Sequence, residues 1–330
     1  SGCVCTARER EERGEQHVPL SRLALSPLDP SHVFSNLSPC FAGSLSLRPC
    51  APCVPPHLLT SFLSTWPTAL YCDHGGLAHI PARLPDRTQY LFLQGNNISS
   101  LSSSVLGNIT GLRWLILDHN QLEGDGLDRA ALQNHTRLRH LFANHNKLSS
   151  VPSALPSGLR QLRLAHNRIS SIGPGAFQNL RNLTLLLLQG NRLKSIAEGD
   201  LKGLVRLNML DLSRNMFSTV PSHLPPSIQQ LYLSNNSLSA LSKDSFASLL
   251  NLKFLRLSHC GLQSRSVHEQ SLNLSSLVEL DLSYNRLTAI PTVPTSLQYL
   301  YMEANEVQGG VNTHKLRMHS HPQWKRQMWN

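Results

Sequence analysis

Apolar residues recur along this chain in a fixed frame. The frame L-x-x-L-x-L-x-x-N-x-L, with conservative substitutions, occurs ten times, starting at Thr88, Leu112, Leu138, Leu159, Leu183, Leu207, Ile228, Leu252, Leu277 and Leu297. LRWLILDHNQL (112–122), LTLLLLQGNRL (183–193) and LVELDLSYNRL (277–287) are clear copies. The apolar residues at frame positions four and six lie two apart, which is the spacing of one face of a short strand. The other apolar positions, one and eleven, flank that strand and turn back under it. Ten such copies in register are a repeat array rather than ten independent elements.

The starts are spaced 24, 26, 21, 24, 24, 21, 24, 25 and 20 residues, which group in threes to 71, 69 and 69. Two longer repeats therefore alternate with a short one. The short intervals share a proline pattern: VPSALPSGL (151–159), VPSHLPPSI (220–228) and IPTVPTSL (290–297), with IPARLPDRT (80–88) leading into the first copy. Proline fixes φ and removes a donor, so these segments are predicted to run extended, as polyproline II. Longer intervals such as GPGAFQNLRNL (173–183) have room for a turn of α- or 3-10 helix.

The fold class that follows is an α/β-type leucine-rich-repeat solenoid of about ten repeats. A curved parallel sheet forms its concave face, and polyproline, 3-10 and short helical segments form its convex side. Ten strands at the usual spacing make a sheet about 45 Å across. One repeat cannot bury its own apolar face, so each depends on its neighbours. The frame asparagine sits where the chain leaves the strand, and its amide can satisfy backbone groups that the turn strands. Nine of ten ladder positions hold Asn: 96, 120, 146, 167, 191, 215, 236, 285 and 305. The tenth is Cys260, read as a buried structural thiol.

Outward positions of the strands give the candidate binding face. The central column runs Phe92, Ile116, Phe142, Arg163, Leu187, Asp211, Tyr232, Arg256, Asp281, Tyr301, and the column before it includes Trp114, His140 and Glu279. Early repeats present apolar and aromatic groups, and later ones mix aromatics with charges of both signs. Exposed Trp114, Phe142 and Tyr301 are poor choices for mere solvation, so this face is expected to bind a long, polar, repetitive partner.

Composition narrows the classes. The 330 residues carry a formal net charge of +10 with a pI near 9.6, compatible with polyanionic partners and silent about fold. No run of apolar residues is long enough to span a membrane. The opening SGCVCTAREREERGEQHVPL lacks the apolar core of a secretory signal. Seven cysteines is an odd number, so at least one is unpaired or pairs outside the chain. There is no G-x-S-x-G, P-loop or H-E-x-x-H, so no catalytic residue, cofactor or metal-ligand set is assigned, and an enzyme is not expected. The 16 histidines are scattered, several beside ladder positions (His119, His145, His166, His259). The basic-aromatic end of the chain is read as a disordered tail rather than a nucleic-acid site.

N-x-[ST] sequons occur at Asn36, Asn97, Asn108, Asn134, Asn182, Asn235 and Asn273. Asn108, Asn134 and Asn273 each lie four residues before a repeat start, in loops approaching a strand, and Asn182 directly precedes Leu183. These four are the candidate glycosylation sites. Asn97 and Asn235 adjoin ladder asparagines in a tight turn and are weaker acceptors.

The stretch from about Cys50 to Val307 resembles the small leucine-rich proteoglycans, in particular the subgroup that includes lumican, fibromodulin and keratocan. The resemblance is carried by PTALYCD (67–73), TGLRWLILDHNQL (110–122), NLTLLLLQGNRL (182–193), SSLVELDLSYNRLTAIPTV (275–293) and SLQYLYMEANEV (296–307). It implies a secreted extracellular-matrix protein that binds fibrillar collagen through the concave face and regulates fibril assembly. Growth factors or other matrix proteins are further implied partners. It also implies keratan sulfate or simpler glycans on Asn108, Asn182 and Asn273. In this family an acidic residue on the inner face of a middle repeat is implicated in collagen contact, and Asp211 occupies that place. Charge alone adds Arg163, Arg256, Glu279 and Asp281. The alternative reading is a ligand-binding ectodomain fragment of a leucine-rich-repeat receptor.

The chain departs from the family pattern at both ends. The cap expected before the array carries Cys50, Cys53 and Cys72, one cysteine short of the family motif, and the family's closing C-terminal cysteine pair is absent. A redox C-x-x-C would need a βαβ setting and a zinc site a second ligand pair nearby, so a disulfide-stapled cap is the reading, with Cys53–Cys72 the expected pair. The expected domains are a disordered extension (1–49), the cap (50–87), the solenoid (88–308) and an aberrant, disordered basic tail (309–330). An array without its C-terminal cap is expected to expose an apolar end and an unpaired strand edge, and so to self-associate.

Overall fold

A computed structural model describes residues 68–82, 84–124, 129–307 and 316–317. All lie in one compact unit, Pro52–Asn330. Frame positions three to five form the strand in every repeat: β2 (Tyr90–Phe92), β3 (Trp114–Ile116), β4 (His140–Phe142), β5 (Gln161–Arg163), β6 (Leu185–Leu187), β7 (Met209–Asp211), β8 (Gln230–Tyr232), β9 (Phe254–Arg256), β10 (Glu279–Asp281) and β11 (Tyr299–Tyr301). A further strand, β1 (Ala69–Tyr71), precedes them in the cap segment. The strands are parallel and stacked in chain order from β1 to β11. Equal frame positions pair, so that Leu162 faces Leu186 and Leu186 faces Leu210.

This register stacks the frame leucines into one continuous core. In the fifth repeat Leu183, Leu186, Leu188 and Leu193 are all fully buried. Each such side chain contributes roughly 1.5–3 kcal/mol by leaving water. The same cluster runs from Leu70 in the cap to Met302 in the last repeat. On the convex side, Phe177 and Phe246 are buried, and Phe217 takes the place of the leucine at frame position eleven.

The convex segments are mostly turns. Those of 173–183 are closed by bonds between residues three apart, such as the amide of Ala176 to the carbonyl of Gly173 and that of Leu180 to Phe177. Among the described residues two short helices occur, α1 (Ser103–Leu106) and α2 (Arg129–Gln133), with a 3-10 turn at Ser264–Ser266. Such lengths are unstable alone. Packing holds them: Leu106 is fully buried, and buried His135 bonds through Nε2 to the carbonyl of Leu106 at 3.1 Å. The proline segments are not extended throughout. Ala154 and His223, four residues into VPSALPSGL and VPSHLPPSI, have φ of 58° and 59°. A left-handed residue there turns the short convex segment back toward the next strand.

The asparagine ladder is present at all nine positions. Asn167 illustrates it: Oδ1 accepts the amide of Leu148 in the preceding repeat at 3.1 Å, and Nδ2 donates to the carbonyls of Ala143 and Leu164 at 2.9 and 3.0 Å. Cys260 is buried at 2% exposure. Its thiol donates to the carbonyl of Leu233 at 3.3 Å, and burial pushes its pKa up to about 11.

At the far end, Leu316–Arg317 (β12) pairs antiparallel with β11, and Leu297, Leu300 and Met302 of the last repeat are buried. The strand edge expected to be free is therefore paired at these two positions. Among the described residues no helix is long and apolar enough to cross a membrane.

Candidate ligand-binding face

The outward columns lie on the strand face as the alternation requires, but the central one is not uniformly exposed. Phe142, expected to be exposed, is 1% exposed, and Phe92 and Ile116 are buried with it. These three and Ala69 form a second apolar cluster, against which Tyr71, Tyr90 and Trp114 pack. The physical reason is neighbouring bulk. Parallel register sets large residues side by side, and their rings close over one another. Tyr71 stacks on Phe92 at 4.8 Å, and Trp114 lies 4.3 Å from His140 and 6.2 Å from Phe142. Tyr301 and Trp114 are half-buried. Ala69 and Tyr71 belong to a strand the sequence reading did not foresee. Its signal was LYC, an apolar-x-apolar triplet in the frame's place.

Arg163 ends this aromatic layer, its guanidinium 4.2 Å above the Phe142 ring. A cation over a ring face is attracted by the ring quadrupole, most strongly where water is partly excluded. His140 beside it is held well below its ordinary pKa, at about 4, chiefly by burial and further by the charges of Arg163, Arg160 and Arg139. At the margin, His140, Arg160, Gln161, Asn182, Thr184 and Arg206 line a shallow cavity of about 350 Å³.

The remaining charged candidates divide into two groups. Asp211 is half-buried on β7, its Oδ1 accepting the amide of Ser213 at 2.9 Å. Burial raises its pKa, while the Ser213 bonds and the charges of Arg256 and His166 oppose the rise. Leu187 separates it from Arg163, and Tyr232 separates it from Arg256. Arg256, Glu279 and Asp281 are brought together: Arg256 Nη2 meets Glu279 Oε1 at 3.4 Å, pairs in register with Asp281, and lies 4.7 Å from the Tyr232 ring centroid. The internal ion pair was not visible in sequence, because frame position says which residues neighbour but not which rotamers meet.

Asn108, Asn134, Asn182 and Asn273 are all exposed, as are Thr110, Thr136, Thr184 and Ser275 of their sequons. Asn182 Oδ1 accepts a bond from Arg206 Nη1 at 3.3 Å. Cys72 is disulfide-bonded and buried. Cys50 and Cys53 lie outside the described residues.

The sequence and the fold match known proteins. A family profile described as Leucine rich repeat matches residues 157–217, and a second of that description matches 227–249 and 276–300. Keratocan of Mus musculus is 39% identical over 245 residues, 74% of this chain and 70% of that protein. Lumican of Mus musculus is 42% identical over 261 residues, 78% of this chain and 74% of that protein. The chain belongs to the keratocan and lumican family of small leucine-rich-repeat matrix proteoglycans. A solved chain from the octameric complex of Latrophilin 3 (Lec, Olf), Unc5D (Ig, Ig2, TSP1) and FLRT2 (LRR) superposes with a TM-score of 0.62 at 27% identity, covering 75% of this chain and 93% of that one. Keratocan and lumican are structural or binding proteins, and their likeness does not favour the receptor-ectodomain alternative.

Proposed function

We propose that this chain is a secreted extracellular-matrix protein that binds fibrillar collagen through its strand face and regulates fibril assembly. One observation carries the reading: a family member presents a registered column across seven adjacent strands, β5 to β11, in which Arg163, Asp211, Arg256 and Asp281 are interspersed with Leu187, Tyr232 and Tyr301. A long partner with charges of both signs can pair with such a column at several points, and the bonds are salt-sensitive. Asp211 is the acidic contact of the middle repeats. Arg256 and Glu279, already paired, exchange that pairing for partner charges. Growth factors and other matrix proteins are further partners of the same face. Glycans occupy Asn108, Asn134, Asn182 and Asn273, and Cys53 closes on Cys72.

The test is binding to reconstituted collagen fibrils across a salt series, with Asp211→Asn and Arg256→Gln variants. Binding that weakens with salt and with each variant supports the proposal. Absence of binding at low salt overturns it. Non-reducing peptide mapping reads the cap pairing directly.

A further inference from the structure

The residue just before each ladder position adopts left-handed backbone in every turn of the array. His74, Gly95, His119, His145, His166, Gly190, Arg214, Asn235, His259, Tyr284 and Ala304 all have φ between 50° and 70°. Glycine meets that demand without strain, and asparagine is among the residues that tolerate it best. Five of these turns carry histidine instead, and three of the five are consecutive. Their rings stack face to face: His119 on His145 at 4.3 Å and 7°, and His145 on His166 at 4.5 Å and 9°. The stack ends at Gly190, where a Cβ would lie 2.5 Å from the His166 ring.

A second row runs beside the first. One residue after the ladder asparagine, the same turns carry Lys147, Arg168 and Arg192, and Arg214 continues the left-handed column beyond Gly190. Arg168, Arg192 and Arg214 are exposed. Lys147 meets Glu123 at 3.1 Å, whereas no carboxylate among the described residues pairs with the three arginines. The carboxylates that act on the stack are Asp118, toward His119, and Asp211, toward His166. Both are spent on backbone amides, those of Asn144 and Ser213. Parallel stacked rings do not aim their nitrogens at a common point, and among the described residues no group of three or more His, Cys, Asp or Glu side chains could hold a metal ion.

We propose that this turn edge, from His119 to Arg214, is a binding ridge for a sulfated polysaccharide, and that acidification strengthens it by charging the histidine stack. The ridge is linear, and from Lys147 to Arg214 it carries one permanent cation in each of four consecutive repeats at roughly 4.8 Å steps, which fits a flexible chain of regularly spaced anions. The ring faces are turned to one another, so they offer no platform for nucleic-acid bases. His145 is held below its ordinary pKa by burial and by the neighbouring His119 and His166 charges. Stacked imidazolium rings repel, and sulfate groups laid along them remove that repulsion. The ridge borders the proposed collagen face, and Asp211 acts on His166 across that border. The histidine and arginine variants below leave Asp211 and Arg256 in place, so either reading can fail without the other.

The experiment measures binding of the full chain to immobilised heparin at fixed ionic strength, near pH 7.4 and near pH 5.8, which bracket the imidazole range. Wild-type affinity should rise on the order of tenfold with acid. The triple variant His119→Asn, His145→Asn, His166→Asn keeps residues that accept left-handed φ, and far-UV circular dichroism checks its fold. It should lose the acid gain and keep neutral binding. The pair Arg168→Gln, Arg192→Gln should bind more weakly at both pH values and keep the acid gain. An undiminished acid gain in the triple variant overturns the proposal, as does unchanged binding by the arginine pair. Equal affinity for unsulfated hyaluronan or for duplex DNA would also overturn it, by showing a generic polyanion surface.

Discussion

At a single ladder position the difference between Asn and Cys can be followed atom by atom. Most ladder asparagines accept one amide of the preceding repeat, as Asn191 Oδ1 does from Ile169. Two accept a pair. Asn96 takes Gly75 and Leu77, and Asn285 takes Cys260 and Leu262. In both cases the preceding ladder position is not asparagine but Gly75 or Cys260, and its own amide is the second donor. Cys260 has no side-chain oxygen to accept the amide of Leu238. Cys260→Asn should therefore raise stability by about 1 kcal/mol, and Asn191→Leu should lower it by about 3 kcal/mol, read as shifts in urea midpoint. Native Cys260 should resist thiol reagents and react once the protein unfolds, because its thiol is buried with a pKa raised to about 11.

His140 supplies the pH dependence at this scale. Its folded pKa lies below its ordinary 6.5, at about 4, so the folded state prefers the neutral ring. The stability this confers is complete above 6.5 and is lost as pH falls toward 4. Asp118 and Asp211, whose pKa values are raised, act in the opposite sense, and only in the carboxylate range. The melting temperature should thus fall between pH 6.5 and about 5, where carboxylates stay ionised. His140→Phe, which keeps a ring against Trp114, should flatten that slope.

Among the elements, β4 and β5 are where the aromatic and charged parts of the face meet. Phe142 is buried on the side that alternation assigns to the binding face, and Arg163 rests on it. Phe142→Ala should cost about 3–5 kcal/mol and free the Arg163 side chain. If the face binds collagen, the variant should also weaken binding when assayed well below its melting temperature. The strands and their register were legible in sequence, because the frame places Leu at fixed offsets and a slip would turn those leucines to solvent. The burial of Phe142 was not, because outward means solvent only where neighbours are small. Strand β1 was missed for a related reason. It carries the apolar triplet, but Gly75 stands where asparagine would have marked the repeat. The left-handed column was equally hidden, since Arg214, Tyr284 and Ala304 occupy it beside the expected Gly, Asn and His.

Across the whole array, stability is a sum of repeats and the seams between them. The ladder gives those seams a direction. Each asparagine oxygen reaches back toward the N-terminus, so every repeat followed by a ladder asparagine has its turn completed by the next one. A proteolytic cut between two repeats is therefore unequal in its effects. The upstream fragment loses the acceptor that closed its final turn and should fray from the cut. The downstream fragment keeps the side-chain acceptors of its own turns, although its new front strand loses the backbone partners and apolar cover of the removed repeat. Trimming after a nick should accordingly run backward from the break, leaving the piece that carries the C-terminal repeats as the longer-lived product.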